Sequence, residues 1–110
     1  MGRIEGQTVI IPLLIDACDD ARERFAKRGI RLDLQTPSEP GEKTGVRLDA
    51  WSGRGLAQLL LWDTGELDLT VGDAKTGDIL LNEHREVSSQ LGISDALETI
   101  EGYLADLPSG

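Results

Sequence analysis

The stretch Leu56-Ala57-Gln58-Leu59-Leu60-Leu61-Trp62-Asp63-Thr64-Gly65-Glu66-Leu67-Asp68-Leu69-Thr70-Val71 decides the fold of this chain. Two runs of strand-forming residues flank a short polar segment, and Gly65 can supply the left-handed residue of a three-residue hairpin loop. That loop length sets the pairing. Trp62 faces Glu66, Leu61 faces Leu67, Leu59 faces Leu69 and Ala57 faces Val71, so the last three pairs build one aliphatic face. Leu60, Trp62, Glu66, Asp68 and Thr70 fall on the other. An acidic surface bearing an indole and a leucine suits docking, although a helix could equally cover it.

Downstream, Asp73 to Gly77 reads as a second turn, followed by a strand over about Asp78 to Val87. Its register stays open. A three-residue loop would bury Ile79 and Leu81, a four-residue loop would select Leu80, Asn82 and His84, and a strand covered on both faces would accommodate the whole apolar triplet. Ser88 and Ser89, or Ser94, can cap a closing helix in which Ile93, Leu97, Ile100 and Leu104 recur at helical spacing.

Upstream, Ile11, Leu14, Cys18, Ala21 and Phe25 share one helical face, Pro12 sits in the first turn, and Gly29 stops the helix. Asp20 to Arg24 and Glu23 to Lys27 have the spacing of ion pairs along its outer face. Ile30, Leu32 and Leu34 alternate with polar residues, as do Val46, Leu48 and Ala50, predicting two strands. Thr36 to Gly45 holds Pro37, Pro40, Gly41 and Gly45 and reads as a loop. The expected architecture is α+β: a five-stranded, mostly antiparallel sheet flanked by an N-terminal and a C-terminal helix. One domain over 1–110 is expected, ordered over about 9–107, with an aliphatic core, since 39% of the residues are apolar and only 4% aromatic.

Charge divides the chain. Residues 1–62 hold nine acids and nine bases, whereas residues 63–110 hold eleven acids against Lys75 and Arg85, so the net charge of -9 arises entirely beyond Trp62. Such a half repels nucleic-acid phosphates and anionic membranes and attracts a basic partner. The apolar run Val9 to Ile15 is too short to span a bilayer and passes straight into charged residues, so no signal peptide or anchor is expected. Cys18 is the only cysteine, which leaves no disulfide and no thiol cluster for zinc, and a cytoplasmic location fits.

No catalytic set emerges. His84 stands between Glu83 and Glu86, but alternation sends Glu83 to the opposite face, and one histidine provides too few ligands for a transition metal. Glu83 and Glu86, three apart on a strand, also diverge, which opposes a hydrolase built on paired carboxylates. Asp73, Lys75 and Asp78 lack the ligand ladder of a calcium loop, and an Asp73 carboxylate bonding nearby amides explains them. Gly53-Arg54-Gly55 has neither the lysine nor the following helix of a phosphate loop. Cys18 sits on the apolar helix stripe, where a thiol is inert. Trp51 and Trp62 read either as partly covered at a sheet edge or as binding residues. Neither a metal nor a cofactor is expected.

The segment Leu61-Trp62-Asp63-Thr64-Gly65-Glu66-Leu67-Asp68-Leu69, followed by Asp73, Thr76-Gly77-Asp78-Ile79-Leu80-Leu81 and Glu83-His84, resembles the TriTu family of bacterial immunity proteins, with coverage from about Leu14 to Leu104. The order of helix, strand pair, tryptophan, glycine-acid turn, Glu-His strand, two serines and closing helix is similar too. The resemblance implies a non-enzymatic antidote that binds a cognate ADP-ribosyltransferase toxin delivered between competing bacteria, in the namesake case one directed at elongation factor Tu. On the hairpin register, Trp62, Glu66, Asp68 and Thr70 are expected to form the toxin-binding face, with Asp63 and His84 at its margin and a basic surface on the toxin. The alternative is a small interaction module, or a homodimer joined through edge strands or tryptophan-bearing faces.

Overall fold

A computed structural model of the chain describes residues 10–35 and 45–106. Helix α1 (Ile10–Lys27) is followed by strands β1 (Arg31–Gln35), β2 (Gly45–Ser52), β3 (Gly55–Trp62), β4 (Glu66–Asp73) and β5 (Ile79–Glu86), then helix α2 (Gln90–Asp106). The strands lie side by side in chain order, each antiparallel to the next. This is the expected α+β architecture of an antiparallel sheet and two helices, and the strand order, which the sequence left open, is that of a meander.

Helix α1 buries Ile10, Leu14, Cys18, Ala21 and Phe25; Ile10, rather than the expected Ile11, takes the first core position. The helix ends in a Schellman motif: Ile30 N–H bonds the Phe25 carbonyl at 2.9 Å, Gly29 N–H bonds that of Ala26 at 3.0 Å, and Gly29 has φ of 79°. Only glycine accepts that conformation without strain. Phe25 and Ile30, at either end of the motif, are both buried. The predicted Thr36–Gly45 loop lies outside the described residues except Gly45, which opens β2.

The β3–β4 register is the predicted one: Leu61 opposes Leu67, Leu59 opposes Leu69 and Ala57 opposes Val71. Gly65 adopts φ of 95° and donates to the Trp62 carbonyl at 2.9 Å. Its own carbonyl accepts the Val87 N–H at 2.8 Å, and a Cβ at this position would stand 2.4 Å from the Val87 oxygen. Gly65 therefore sets the hairpin and admits β5 beside it.

Core residues form rows across the sheet, the longest being Leu32, Ala50, Ala57, Val71 and Leu81, beside an all-leucine row of Leu34, Leu48, Leu59 and Leu69. Leu48, Leu59, Leu61, Leu67 and Leu69 are fully buried. Each contributes roughly 1.5–3 kcal/mol of transfer free energy. Both helices cover this one face, α1 along β1 and α2 across β2, β3 and β4, and they also pack on each other. Ser89 caps α2 through its carbonyl to Ile93 at 3.4 Å, and Gly92 lets the first turn approach Val87, whose Cγ1 would lie 3.0 Å from a Cβ there. Glu101, on the same stripe as Leu97 and Leu104, is buried and accepts bonds from Arg24 at 3.3 Å and Arg28 at 3.0 Å. Arg24 thus clamps α1 to α2 through Glu101.

The last hairpin departs from both registers considered. Leu81 opposes Val71 and packs against the core, but a register shift at Val71/Gly72 carries Ile79 off the core side. Ile79 is 63% exposed and Leu80 39%, so the idea of a strand covered on both faces is corrected. The bulge separates the two apolar residues from the sheet interior.

Candidate binding face

Because strands alternate, the aliphatic rows beneath the helices dictate what lies on the opposite face, and no described element covers that face. One row across it reads Gln35, Arg47, Leu60, Asp68 and His84. Beyond it lie Gly45 and Trp62, then Glu66 opposite Glu86. On the other side, Gln58, Thr70 and Asn82 align. Trp62, Glu66, Asp68 and Thr70 accordingly share one face as the hairpin register requires, each half-buried. Asp63 sits in the turn beside Trp62, half-buried at the margin.

Gly45 explains how Trp62 lies down on the sheet. A Cβ at Gly45 would come within 3.0 Å of Trp62 Cδ1, so the glycine that read as a loop breaker in fact makes room for the indole. On the β4 side, the Thr64 hydroxyl donates to Glu66 Oε2 at 3.2 Å, tying the turn to the first acid.

His84 stands on the edge strand β5, at the margin of this face. Its Nδ1 lies 2.6 Å from Asp68 Oδ1, directly across the β4–β5 ladder, while Glu66 and Glu86 flank the pair. The hydrogen bond to Asp68, followed by the charges of Asp68, Glu66 and Glu86, pushes the imidazole above its ordinary value despite a smaller opposing desolvation. Glu66 and Glu86 stand opposite each other on neighbouring strands, which brings two carboxylates together at this end of the face. The register left open in the sequence concealed this cluster: pairing His84 with Asp68 requires the bulge at Val71/Gly72.

At the other end of the face lies an apolar row that site prediction did not include: Trp51, Leu56 and Ile79, which are 37%, 52% and 63% exposed, with Gly72 between the last two. The missing side chain of Gly72 leaves a depression of about 350 Å³ between Leu56 and Ile79. Its signal was present, since the phase that buries Ala57 and Ala50 turns Leu56 and Trp51 outward. Beneath this end, Arg54 Nε lies 3.1 Å from both Asp73 carboxylate oxygens, and the Ala74 N–H bonds the Arg54 carbonyl at 2.7 Å. Asp73 also accepts the Lys75 and Thr76 amides, at 2.9 and 3.3 Å, as an ordinary Asx turn does. Arg54, then those amides, hold its carboxyl below the usual value.

Cys18 is buried in α1, and burial pushes its thiol up to about 11, leaving it unionised. Among the described residues, no group of three or more histidine, cysteine or acidic side chains is arranged to hold a metal ion. No described helix is long and apolar enough to cross a membrane.

The family model for Immunity protein TriTu matches residues 14–100. This chain belongs to that family. The TriTu match begins within α1 and ends within α2, so the whole sheet and all six predicted contact residues, Trp62, Asp63, Glu66, Asp68, Thr70 and His84, fall inside it. A TriTu protein is an immunity protein, which implies a cognate toxin as its partner. No individual curated protein matches the chain.

Proposed function

We propose that this immunity protein neutralises a cognate ADP-ribosyltransferase toxin by direct, non-catalytic binding through the uncovered sheet face, in the cytoplasm of the producing cell. The observation that carries this reading is the like-charge arrangement there: Glu66 opposite Glu86, with Asp68 in the next row. Carboxylates gathered on a face that no described element covers attract a basic partner and add to its affinity. Transferases hold the pyrophosphate of their dinucleotide with cationic side chains, which are suitable partners for these carboxylates. Trp62 adds the large, partly desolvated ring surface that interface hot spots use, and Thr70 adds a hydroxyl near the centre.

Co-expression with the toxin encoded in the neighbouring reading frame tests the proposal. Growth should be rescued and the two proteins should co-purify at low salt, with affinity falling as ionic strength rises. Failure of both rescue and co-purification would refute it.

A further inference from the structure

The two edges of the sheet are finished differently. β1 is five residues long and α1 lies beside it, with the Arg22 guanidinium donating a 2.8 Å bond to the outward carbonyl of Leu32. Part of that edge is thus satisfied within the chain. β5 at the other edge is eight residues long, and none of them is buried. α2 packs across β2, β3 and β4 and meets β5 through a polar bridge, in which Arg85 bonds Glu83 at 3.0 Å and Thr99 at 3.2 Å.

Pairing fixes which backbone groups β5 presents outward. Val87 donates to Gly65, and Arg85 and Glu83 stand opposite Leu67 and Leu69. An antiparallel ladder alternates between its two neighbours, so the N–H and C=O groups of Asn82, His84 and Glu86 point away from β4. No described strand lies beyond them. A long edge with outward-facing backbone groups is a template for one more strand. Charge selects which strand that is. A second copy would bring Glu83 and Glu86 against its own acids in a chain of net charge -9, whereas a cationic strand would meet Glu86 and the neighbouring Glu66 favourably. Ile79 and Leu80 add an exposed apolar anchor where β5 begins.

We infer that β5 accepts an extended, lysine- or arginine-bearing segment of the toxin as a sixth strand, an inference that rests on the toxin-binding reading above and specifies its mode. Main-chain bonds to Asn82, His84 and Glu86 supply the docking, and alternate side chains of the added strand reach the acid cluster on the open face.

Amide hydrogen exchange of the full chain, alone and with a catalytically inactivated toxin domain from the neighbouring reading frame, tests this. The amides of Asn82, His84 and Glu86 should exchange at least about tenfold more slowly in the complex. Asn82→Pro removes one outward donor and leaves the β4 ladder intact, so it should weaken binding at least about tenfold, and by more than Asn82→Ala, which keeps that donor. If the proline variant does not fold, the exchange data on the unaltered chain decide. A complex that forms with these three amides still exchanging at their free rates overturns the strand addition and leaves the binding face standing. No binding at all removes both. Protection that grows with protein concentration in the absence of toxin assigns the edge to a second copy and likewise overturns the inference.

Discussion

The β3–β4 hairpin has two faces built from the same sixteen or so positions, and they obey opposite rules. Beneath the helices, Ala57, Leu59, Leu61, Leu67, Leu69 and Val71 are buried and each faces an apolar partner. On the other side, Glu66 and Asp68 lie beside Trp62, and Glu66 meets Glu86 across the ladder. One face is wholly apolar and lies under the helices, whereas the other carries carboxylates and a half-buried indole and is covered by no described element.

The comparison can be broken most forcefully from the core. Leu69→Ala should cost about 2–5 kcal/mol of unfolding free energy, measured by urea denaturation, because Leu69 is fully buried in the longest leucine row. A smaller loss, about 1 kcal/mol, is expected for Glu101→Ala, which unclamps the half-exposed Arg24 and Arg28 from α2. The open face should behave otherwise. Glu86→Gln removes one of two carboxylates opposed across the ladder and should change stability by no more than a few tenths of a kcal/mol, while toxin affinity falls.

The smallest effect is a pH dependence. His84 has a raised folded value, so its bond to Asp68 stabilises the fold fully below the ordinary histidine value of 6.5 and fades as pH rises through the higher folded value. His84→Gln should erase that component in melts taken between pH 5 and about 9. Asp73 has the opposite sign: its value is lowered, so its contribution is present above 3.8 and is lost as pH falls through the folded value. Asp73→Asn should flatten that acid limb of the stability curve.

Much of this was legible in the sequence where local chemistry alone decides the outcome. Gly29 ends α1 and Gly65 fixes the β3–β4 register, because each supplies a left-handed residue at a position where the flanking apolar period leaves no alternative. The β4–β5 register was not legible, since the apolar triplet Ile79, Leu80 and Leu81 fits more than one pairing and nothing in the local sequence marks the bulge at Val71/Gly72. That uncertainty hid the His84–Asp68 pair and left Ile79 and Leu80 misplaced. The burial of Glu101 could have been read from its place four residues after Leu97, but its partners lie on the other helix. The open face itself was visible as a pattern, while the chain's place among immunity proteins came from the family resemblance and the family match.

The central claim, that the open face meets the toxin, is tested most directly by titrating the toxin domain against the unaltered chain and against Trp62→Ala and Asp68→Ala. Each substitution should raise Kd at least about tenfold while the variants keep their fold by circular dichroism. Folded variants that bind with the Kd of the unaltered chain would contradict the account.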